Sequence, residues 1–512
     1  MDDLTSEALI ISNSQVSTRA ELMDRAAHAA AGFVSLGLHS GEAVALLMRN
    51  DPVLLEASIA ANKVGAYAVP INWMLKAEEV AFLLRDSGAR ILVVHADLLA
   101  AIEGTIPLEI TIVSVQPSQD VQQRPWRAAA GGTAMPTAIK WQDLIRTPGA
   151  MSDPPSAQRS SMIYTSGTTG RPKAVKRLPP TPEQALQLER IRAEVYGLKP
   201  GIRTVIAGPL YHIAMNSFAI RAAAIASRLV LMPRFDPEQL LGLVEEHEIT
   251  TLFMVPMMFV RLLHLPEAVR ERYDISSLRH VIHGGAPCPL ESKHAMIAWW
   301  GPIIHETYGA TELGSVTVCS SAEWLERPGT VGRPLQGATV RILDEAGKPV
   351  PTGIPGDIYA AVKAYPDFTY HNRQSERDEI ERDGLVTTGD VGYLDDAGFL
   401  YLCDRKREVV IFGGMNVYPA ELELALLEID GIRDCAAFGV PDKAFGEVVL
   451  ALIVQDGSLD ERTIRARLAG RLASYKLPAR IEFREALPRD DGGKMRKHEL
   501  RGPYWSAVGR SI

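Results

Sequence analysis

Short apolar strands alternating with longer stretches of helical spacing run through most of this chain, and that alternation constrains its fold more than any other feature. Ala20 to Leu38 carries apolar residues at helical spacing, Ala43 to Leu47 is a short apolar run, and Leu54 to Val64 is helical again. The rhythm returns after Arg203, with Val205 to Ala207, Leu229 to Met232, Thr251 to Val255 and Val281 to Ile282 as strands, each followed by a helix-like segment. Strands that are apolar throughout need cover on both faces, so the pattern predicts an α/β fold of parallel sheets under helices. Gln116 to Met151, rich in Pro, Gly and Gln, is expected to be a loop-dominated connection. After Pro328 the texture becomes short strands with Gly and Pro turns, as at Val340 to Leu343 and Pro351-Thr-Gly353, which predicts a β-rich subdomain. From Val409 a further α+β unit begins. The charged run Asp404 to Arg407 separates the two textures, giving an expected N-terminal domain at 1–404 and a small, mobile C-terminal domain at 405–512.

At 512 residues the chain is long enough for more than one domain, and 46% hydrophobic with 23% charged residues excludes a disordered or fibrous class. A net charge of −8, mixed along the chain, argues against the broad basic face of a nucleic-acid binder. Met1-Asp-Asp-Leu-Thr-Ser-Glu lacks the basic and apolar regions of a signal peptide, and the longest apolar runs fall short of the ~20 residues that span a bilayer. The expectation is a cytoplasmic protein without an integral membrane segment. Cys288, Cys319, Cys403 and Cys435 form no CxxC pair and have no histidine at metal spacing, as expected of idle thiols in a reducing compartment.

Four polar segments interrupt this pattern. Ser161-Met-Ile-Tyr-Thr-Ser-Gly-Thr-Thr-Gly-Arg-Pro-Lys173 begins as a strand and becomes a loop of hydroxyls and glycines ending in a cation. Glycines allow close backbone approach, Ser and Thr donate, and Lys173 supplies a point charge, so the loop suits a polyphosphate; an ordinary surface turn has the same composition. It is no Walker loop, since Ala174 follows the lysine. Thr307-Tyr-Gly-Ala-Thr-Glu312 sets an aromatic ring beside a hydroxyl and a carboxylate, which could stack a base and hold Mg²⁺. Thr387-Thr-Gly-Asp390 places a carboxylate in a turn, where it either accepts ribose hydroxyls or merely closes the turn. Leu487-Pro-Arg-Asp-Asp-Gly-Gly-Lys494-Met-Arg-Lys497 is a polar loop with one lysine after a glycine pair, and alone reads as a solvated basic tail.

In this order the segments resemble the adenylate-forming enzymes, the family of acyl-CoA synthetases, aryl-CoA ligases, firefly luciferase and peptide-synthetase adenylation domains. The resemblance runs from about Ala20 to Lys497. Tyr164 to Lys173 is similar to the family's phosphate-binding signature, Tyr308 to Glu312 to its YGxTE motif and Thr388-Gly-Asp390 to its TGD. Asp404-Arg-Lys-Arg407 is similar to the hinge, Gly413-Gly-Met-Asn-Val-Tyr-Pro419 to GGxNxYP, and Pro488 to Lys494 to the catalytic-lysine segment. Ala174 stands where the family usually has glycine, Met415 where glutamate is common and Phe412 where serine is frequent.

The resemblance implies an ATP-dependent ligase that joins a carboxylic acid to AMP, releases pyrophosphate, and passes the acyl group to coenzyme A. Thr165, Ser166, Gly167, Thr168, Thr169, Gly170 and Lys173 would hold the phosphates, and Glu312 with Thr168 would hold Mg²⁺. Tyr308, flanked by Thr307, Gly309 and Thr311, would lie against adenine opposite Gly285, Ala286 and Pro287. Asp390 and Arg405 would bind the ribose. Lys494 would bridge carboxylate and α-phosphate, with Glu312, Thr168 and His212 as further catalytic groups. Arg407 would be the hinge, and Gly413, Gly414, Met415 and Asn416 would receive CoA. The acid would meet His212, Met215, Asn216, His283, Gly284, Gly309 and Ala310, although the two histidines could equally be satisfied core residues. That mostly apolar lining favours a medium- or long-chain, alicyclic or steroid-side-chain acid, with aryl acids open. Loading of a carrier-protein phosphopantetheine is the competing outcome, and a homodimer is a further expectation.

Overall fold

The computed structural model describes residues 8–12, 15–117, 138–146, 159–165, 172–412, 415–442, 446–457, 459–490 and 493–506. Packing divides the chain into two compact units. The first comprises residues 1–254, 265–282 and 363–379, the second 255–264, 283–362 and 380–512. This division differs from the expected domains at 1–404 and 405–512, because packing density, not motion, defines it.

The first unit bears out the α/β expectation. Ala43–Leu47 lies between Tyr67–Pro70 and Ala89–His95, followed by Thr111–Val115 and Ile139–Lys140, all parallel. Every residue of Ala43–Leu47 is buried, as a strand covered on both faces must be. The helices start where the sequence offers caps. Thr18 and Glu21 form a reciprocal box ahead of Arg19–Ser35, and Asp51 accepts from the Val53 amide ahead of Pro52–Val64. Gly65 ends that helix at φ 74°, a left-handed conformation that suits glycine. A second sheet runs Thr251–Met254, Arg203–Ile206, Arg228–Leu231, Leu9–Ser12 in parallel, with Gln15–Thr18 antiparallel at its edge. The third is antiparallel and joins Ile163–Thr165, Lys173–Arg177 and Phe368–Tyr370.

Most of the expected loop-dominated connection Gln116 to Met151 lies outside the described residues; in its described part Ile139–Lys140 adds a strand and Trp141–Leu144 a helical turn. Trp141 is almost fully buried, its ring edge-on to Phe33 and its indole N–H donating to Glu56 at 3.1 Å. One large aromatic side chain with a hydrogen-bond partner is enough to anchor a segment whose composition reads as loop.

The second unit is β-rich in its middle, as the turn-rich texture predicts. Ile304–Ala310, Gly314–Cys319 and Thr330–Pro334 pair antiparallel, and Ala338–Leu343, Gly356–Val362, Leu385–Leu394 and Leu400–Arg405 form an antiparallel series. Its C-terminal part pairs Ile432–Asp442 with Gly446–Gln455, flanked by Val410–Phe412 and a parallel Arg480–Phe483. Leu422, Leu426, Ile464 and Leu468 of two helices pack on the Val449, Ala451 and Ile453 face of that sheet. The C-terminal α+β expectation is thus met. Among the described residues no helix is long and apolar enough to cross a membrane, and all four cysteines are free.

Candidate active site

In the first unit the two ends of the expected phosphate loop are held by one polar network. Thr165 pairs with Lys173 across the antiparallel strands, and its hydroxyl donates to the Lys173 carbonyl at 3.4 Å. Tyr164, at the entry, donates its hydroxyl to Asp86 at 2.8 Å, and burial with the Asp86 charge pushes its pKa well up. At the exit, Arg373 donates to the Pro172 carbonyl at 2.8 Å and to Asp86 at 2.7 Å. The buried Lys173 ammonium contacts Glu376 and lies 5.1 Å from the Tyr370 ring centroid. Ser166, Gly167, Thr168, Thr169 and Gly170 lie outside the described residues, as do Gly413, Gly414 and the side chain of Met415.

The acid-site residues of this unit divide. His212 sits half-buried at the start of the helix Ile213–Ile225, its ring 4.6 Å from that of Tyr211. Met215 and Asn216 are buried. The Asn216 amide is engaged internally, accepting from the Ser161 hydroxyl at 2.8 Å and donating to the Leu210 carbonyl at 2.9 Å. It therefore braces the strand leading into the phosphate loop rather than presenting a free polar group.

The second unit gathers the expected nucleoside contacts. Tyr308, on Ile304–Ala310, donates its hydroxyl to Asp390 at 2.7 Å, and Arg405 lies 3.4 Å from the other Asp390 oxygen. Asp390 and Arg405 are direct partners in the antiparallel ladder, so the sheet register itself sets the carboxylate between ring and guanidinium. Two glycines keep the approach close. A Cβ on Gly309 would fall 1.9 Å from the Gly314 carbonyl, and one on Gly284 would fall 2.5 Å from the Thr307 carbonyl. Gly285, Ala286 and Pro287 are exposed beside these strands. Thr307 spends its hydroxyl inside the sheet, on Ser315 and the Thr317 carbonyl. Ala310, Thr311 and Glu312 are half-buried at the following turn, and Asn416 is exposed.

His283, expected at the acid, is instead enclosed. It is fully buried, 5.1 Å from the Phe259 ring and 3.7 Å from Glu306, and burial holds its pKa well below the ordinary value. Glu306 itself pairs with the buried Lys293.

Lys494 sits in a turn built by Asp490, whose carboxylate accepts from the Lys494 amide at 2.9 Å and whose own amide donates to the Lys494 carbonyl at 3.0 Å. Arg489 clamps that turn, forking onto Asp434 at 2.9 and 2.6 Å and donating to the Gly493 carbonyl at 2.7 Å. Desolvation by surrounding protein, with the charges of Arg405 and Arg407, holds the ammonium of Lys494 below the ordinary lysine value.

Sequence reading gave no role to Lys497 and named Asp404 only as the first residue of the segment similar to the hinge. Lys497 reaches Glu408 and Glu423, both at 2.9 Å, and these two carboxylates together with Asp404 raise its pKa. Asp404 accepts from the Ala420 amide at 2.9 Å at the start of the helix Pro419–Leu427. Burial pushes its pKa up to about 6 despite Lys497. A carboxyl whose folded pKa is raised costs stability above that pKa, and the cost disappears below the unfolded value near 4. Both Asp404 oxygens accept backbone amides, from Arg405 and Ala420, so an amide in its place loses one of them at every pH; on top of that constant loss, Asp404→Asn is expected to gain about 1–3 kcal/mol relative to wild type between pH 4 and pH 8 in thermal melts, and a difference between the two that does not change with pH would refute it.

Among the described residues no group of three or more His, Cys, Asp or Glu side chains is gathered for a metal ion. Mg²⁺ needs no such group, since it keeps waters and phosphate oxygens as most of its ligands, and the half-buried carboxylate of Glu312 is of the type it takes.

Comparison with known proteins identifies the family. The AMP-binding enzyme family model matches residues 5–363, and the model of the AMP-binding enzyme C-terminal domain matches 421–494. The chain is similar to feruloyl-CoA synthase of Amycolatopsis sp, 33% identical over 94% of this chain and 93% of that protein. It is also similar to the long-chain-fatty-acid–CoA ligase FadD13 of Mycobacterium tuberculosis, 30% identical over 93% and 90%. Among solved structures, o-succinylbenzoate CoA synthetase of Bacillus subtilis in complex with its acyl-adenylate intermediate superposes with a TM-score of 0.79 at 27% identity, covering 97% of this chain and 96% of that one. The chain thus belongs to the AMP-binding enzyme family, the adenylate-forming enzymes, on its acid–CoA ligase branch.

Proposed function

We propose that this protein activates a hydrophobic carboxylic acid with ATP as an acyl-adenylate and transfers the acyl group to coenzyme A. The observation that carries the reading is the Tyr308–Asp390–Arg405 constellation, with the Lys494 ammonium close enough to Arg405 to feel its charge. Asp390 supplies a fixed acceptor for ribose hydroxyls, and Tyr308 supplies a ring face for adenine. Arg405, Arg407 and Lys494 share one region of the second unit with Asp390, Glu408 and Asp490, and the two arginines outweigh the carboxylates at Lys494, which favours an arriving anion there. The α-phosphate together with the substrate carboxylate supplies that anion. Lys173 would hold the departing pyrophosphate, and Mg²⁺, held by Glu312 with Thr168, would neutralise charge on the phosphates.

The apolar residues that follow His212 in sequence, Met215 and Phe218 among them, support an acid without a second charge. The similarity to a feruloyl-CoA synthase favours aryl acids as the second reading. Pyrophosphate release measured across fatty, alicyclic, steroid-side-chain and aryl acids, with and without CoA, tests both. Release with no acid of either group, or release that never leads to an acyl-CoA, defeats the proposal.

Since Lys494 serves only the first half-reaction, the C-terminal domain would turn about Arg407, in the 3₁₀ turn Lys406–Glu408, before thiolation. Gly413 to Asn416 would then meet CoA. Arg407→Pro fixes one backbone torsion at this turn, and is expected to slow thioester formation about tenfold or more while leaving pyrophosphate release without CoA within about twofold. Equal loss in both assays would remove the hinge from residue 407.

A further inference from the structure

Lys173 does not wait bare for a nucleotide. Its side chain is 7% exposed, its Nζ contacts Glu376 Oε2, and the Tyr370 ring lies 5.1 Å away. Glu376 comes from the short helix Gln374–Glu379, which follows directly on the strand Phe368–Tyr370, itself paired with Lys173–Arg177. Arg373, one turn earlier, lies 3.8 Å from the other Glu376 oxygen and is tied to Asp86 and to the Pro172 carbonyl. The carboxylate is thus steered toward Lys173 by a guanidinium that is itself fixed at two points. The Oε2 that meets Lys173 is buried, but the Glu376 side chain as a whole is more open than the lysine, 26% exposed against 7%, so an anion reaches the ammonium only by displacing this carboxylate outward.

We propose that Glu376 is an internal counter-anion for Lys173, which positions the ammonium in the nucleotide-free protein and gives it up to a polyphosphate. The inference rests on the reading of Tyr164 to Lys173 as the phosphate loop. A buried ammonium without a partner is costly, so the nucleotide-free state needs an anion at this place. A polyphosphate carries more charge than one carboxylate and takes the contact over. The exchange makes binding weaker than Lys173 alone would allow, and it eases release of pyrophosphate. Glu376 is a positioning residue: it contacts Lys173 and acts through it.

The test is calorimetric titration of the full chain with inorganic pyrophosphate and with Mg·ATP, for wild type, Glu376→Gln, Glu376→Asp, Lys173→Gln and the Lys173→Gln/Glu376→Gln double variant. Removing the competing charge is expected to tighten pyrophosphate binding by about threefold to fivefold in Glu376→Gln, the scale of one partly exposed ion pair. Glu376→Asp, with a shorter reach, is expected to change binding in the same direction by less. In the Lys173→Gln background, Glu376→Gln is expected to have no effect. A residue with only a structural role would weaken binding when changed, not strengthen it. Unchanged or weaker binding in both Glu376 variants, or equal tightening with and without Lys173, overturns the counter-anion role. If Lys173→Gln itself leaves pyrophosphate affinity unchanged, the phosphate-loop reading falls and the inference with it.

Discussion

Lys494→Ala is expected to lower acyl-adenylate formation by on the order of 10³-fold while leaving the reaction of supplied acyl-AMP with CoA within a few-fold of wild type. Joining a carboxylate to an α-phosphate brings two anions to bonding distance, and a cation placed between them acts only where that repulsion develops. Lys494 suits the task because it is open to an arriving anion. Desolvation and the charges of Arg405 and Arg407 outweigh those of Asp490 and Glu408 and hold its pKa below the ordinary lysine value, so its charged form gains from a further anion. The Asp490 turn and the Arg489–Asp434 fork fix the backbone from which it reaches. Acyl-AMP formation followed by pyrophosphate release, and thioester formation from synthetic acyl-AMP, separate the two steps. Loss of both in parallel would show that the lysine supports the fold or both half-reactions.

The strands that make up the parallel sheets were legible because each is a local decision. Ala43–Leu47 is apolar at five consecutive positions and falls where the pattern predicts. Asp51-Pro52 carries both the cap and the first turn of its helix, and the following glycine ends it. Trp141 was missed because its anchoring is not local. What orders that segment is a hydrogen bond to Glu56, 85 residues earlier, and no composition window contains it.

The same distinction divides the site. Tyr308, Asp390, Arg405 and Lys494 lie in motifs whose order and spacing are visible in the chain, and the structure brings the first three into contact. The groups that hold such residues in place were not visible. Arg373 and Asp86 are 287 positions apart, Lys497 and Glu408 are 89 apart, and each reads in sequence as an unremarkable surface charge. The acid site was legible only as a list. Asn216 and His283 are polar residues near family motifs, but which way such a residue faces is decided by packing. Here one is engaged by Ser161 and Leu210 and the other is enclosed by Phe259 and Glu306.

Lys293→Met should destabilise the protein by about 3–5 kcal/mol, the second large effect expected. Lys293 is fully buried in contact with Glu306, and its ammonium stands 4.9 Å from the Trp324 ring centroid. Methionine fills nearly the same volume, so the loss measures charge and not a cavity. Without the lysine, Glu306 is left as a carboxylate in a site that already pushes its pKa up, and it is neutralised by a proton taken up either on itself or on His283, 3.7 Å away. The penalty must therefore grow as pH rises above the ordinary carboxyl range and shrink on acidification. Replacing both partners, as Lys293→Met/Glu306→Leu, removes the stranded charge and is expected to recover most of the stability. Urea unfolding followed by tryptophan fluorescence, with Trp324 beside the lysine, reads both variants at pH 5 and pH 8. A double variant as unstable as the single one would mean that the pair is needed for more than its own neutralisation. Nucleotide affinity decides what that additional need is, since Lys293 lies on the helix after Gly284 to Pro287 and Glu306 lies two residues before Tyr308. If the stable double variant also binds ATP normally, the ion pair is a solution to packing a charge. If it binds ATP weakly, the pair sets the spacing between the glycine segment and the tyrosine strand, and the buried charge is retained for the site's geometry.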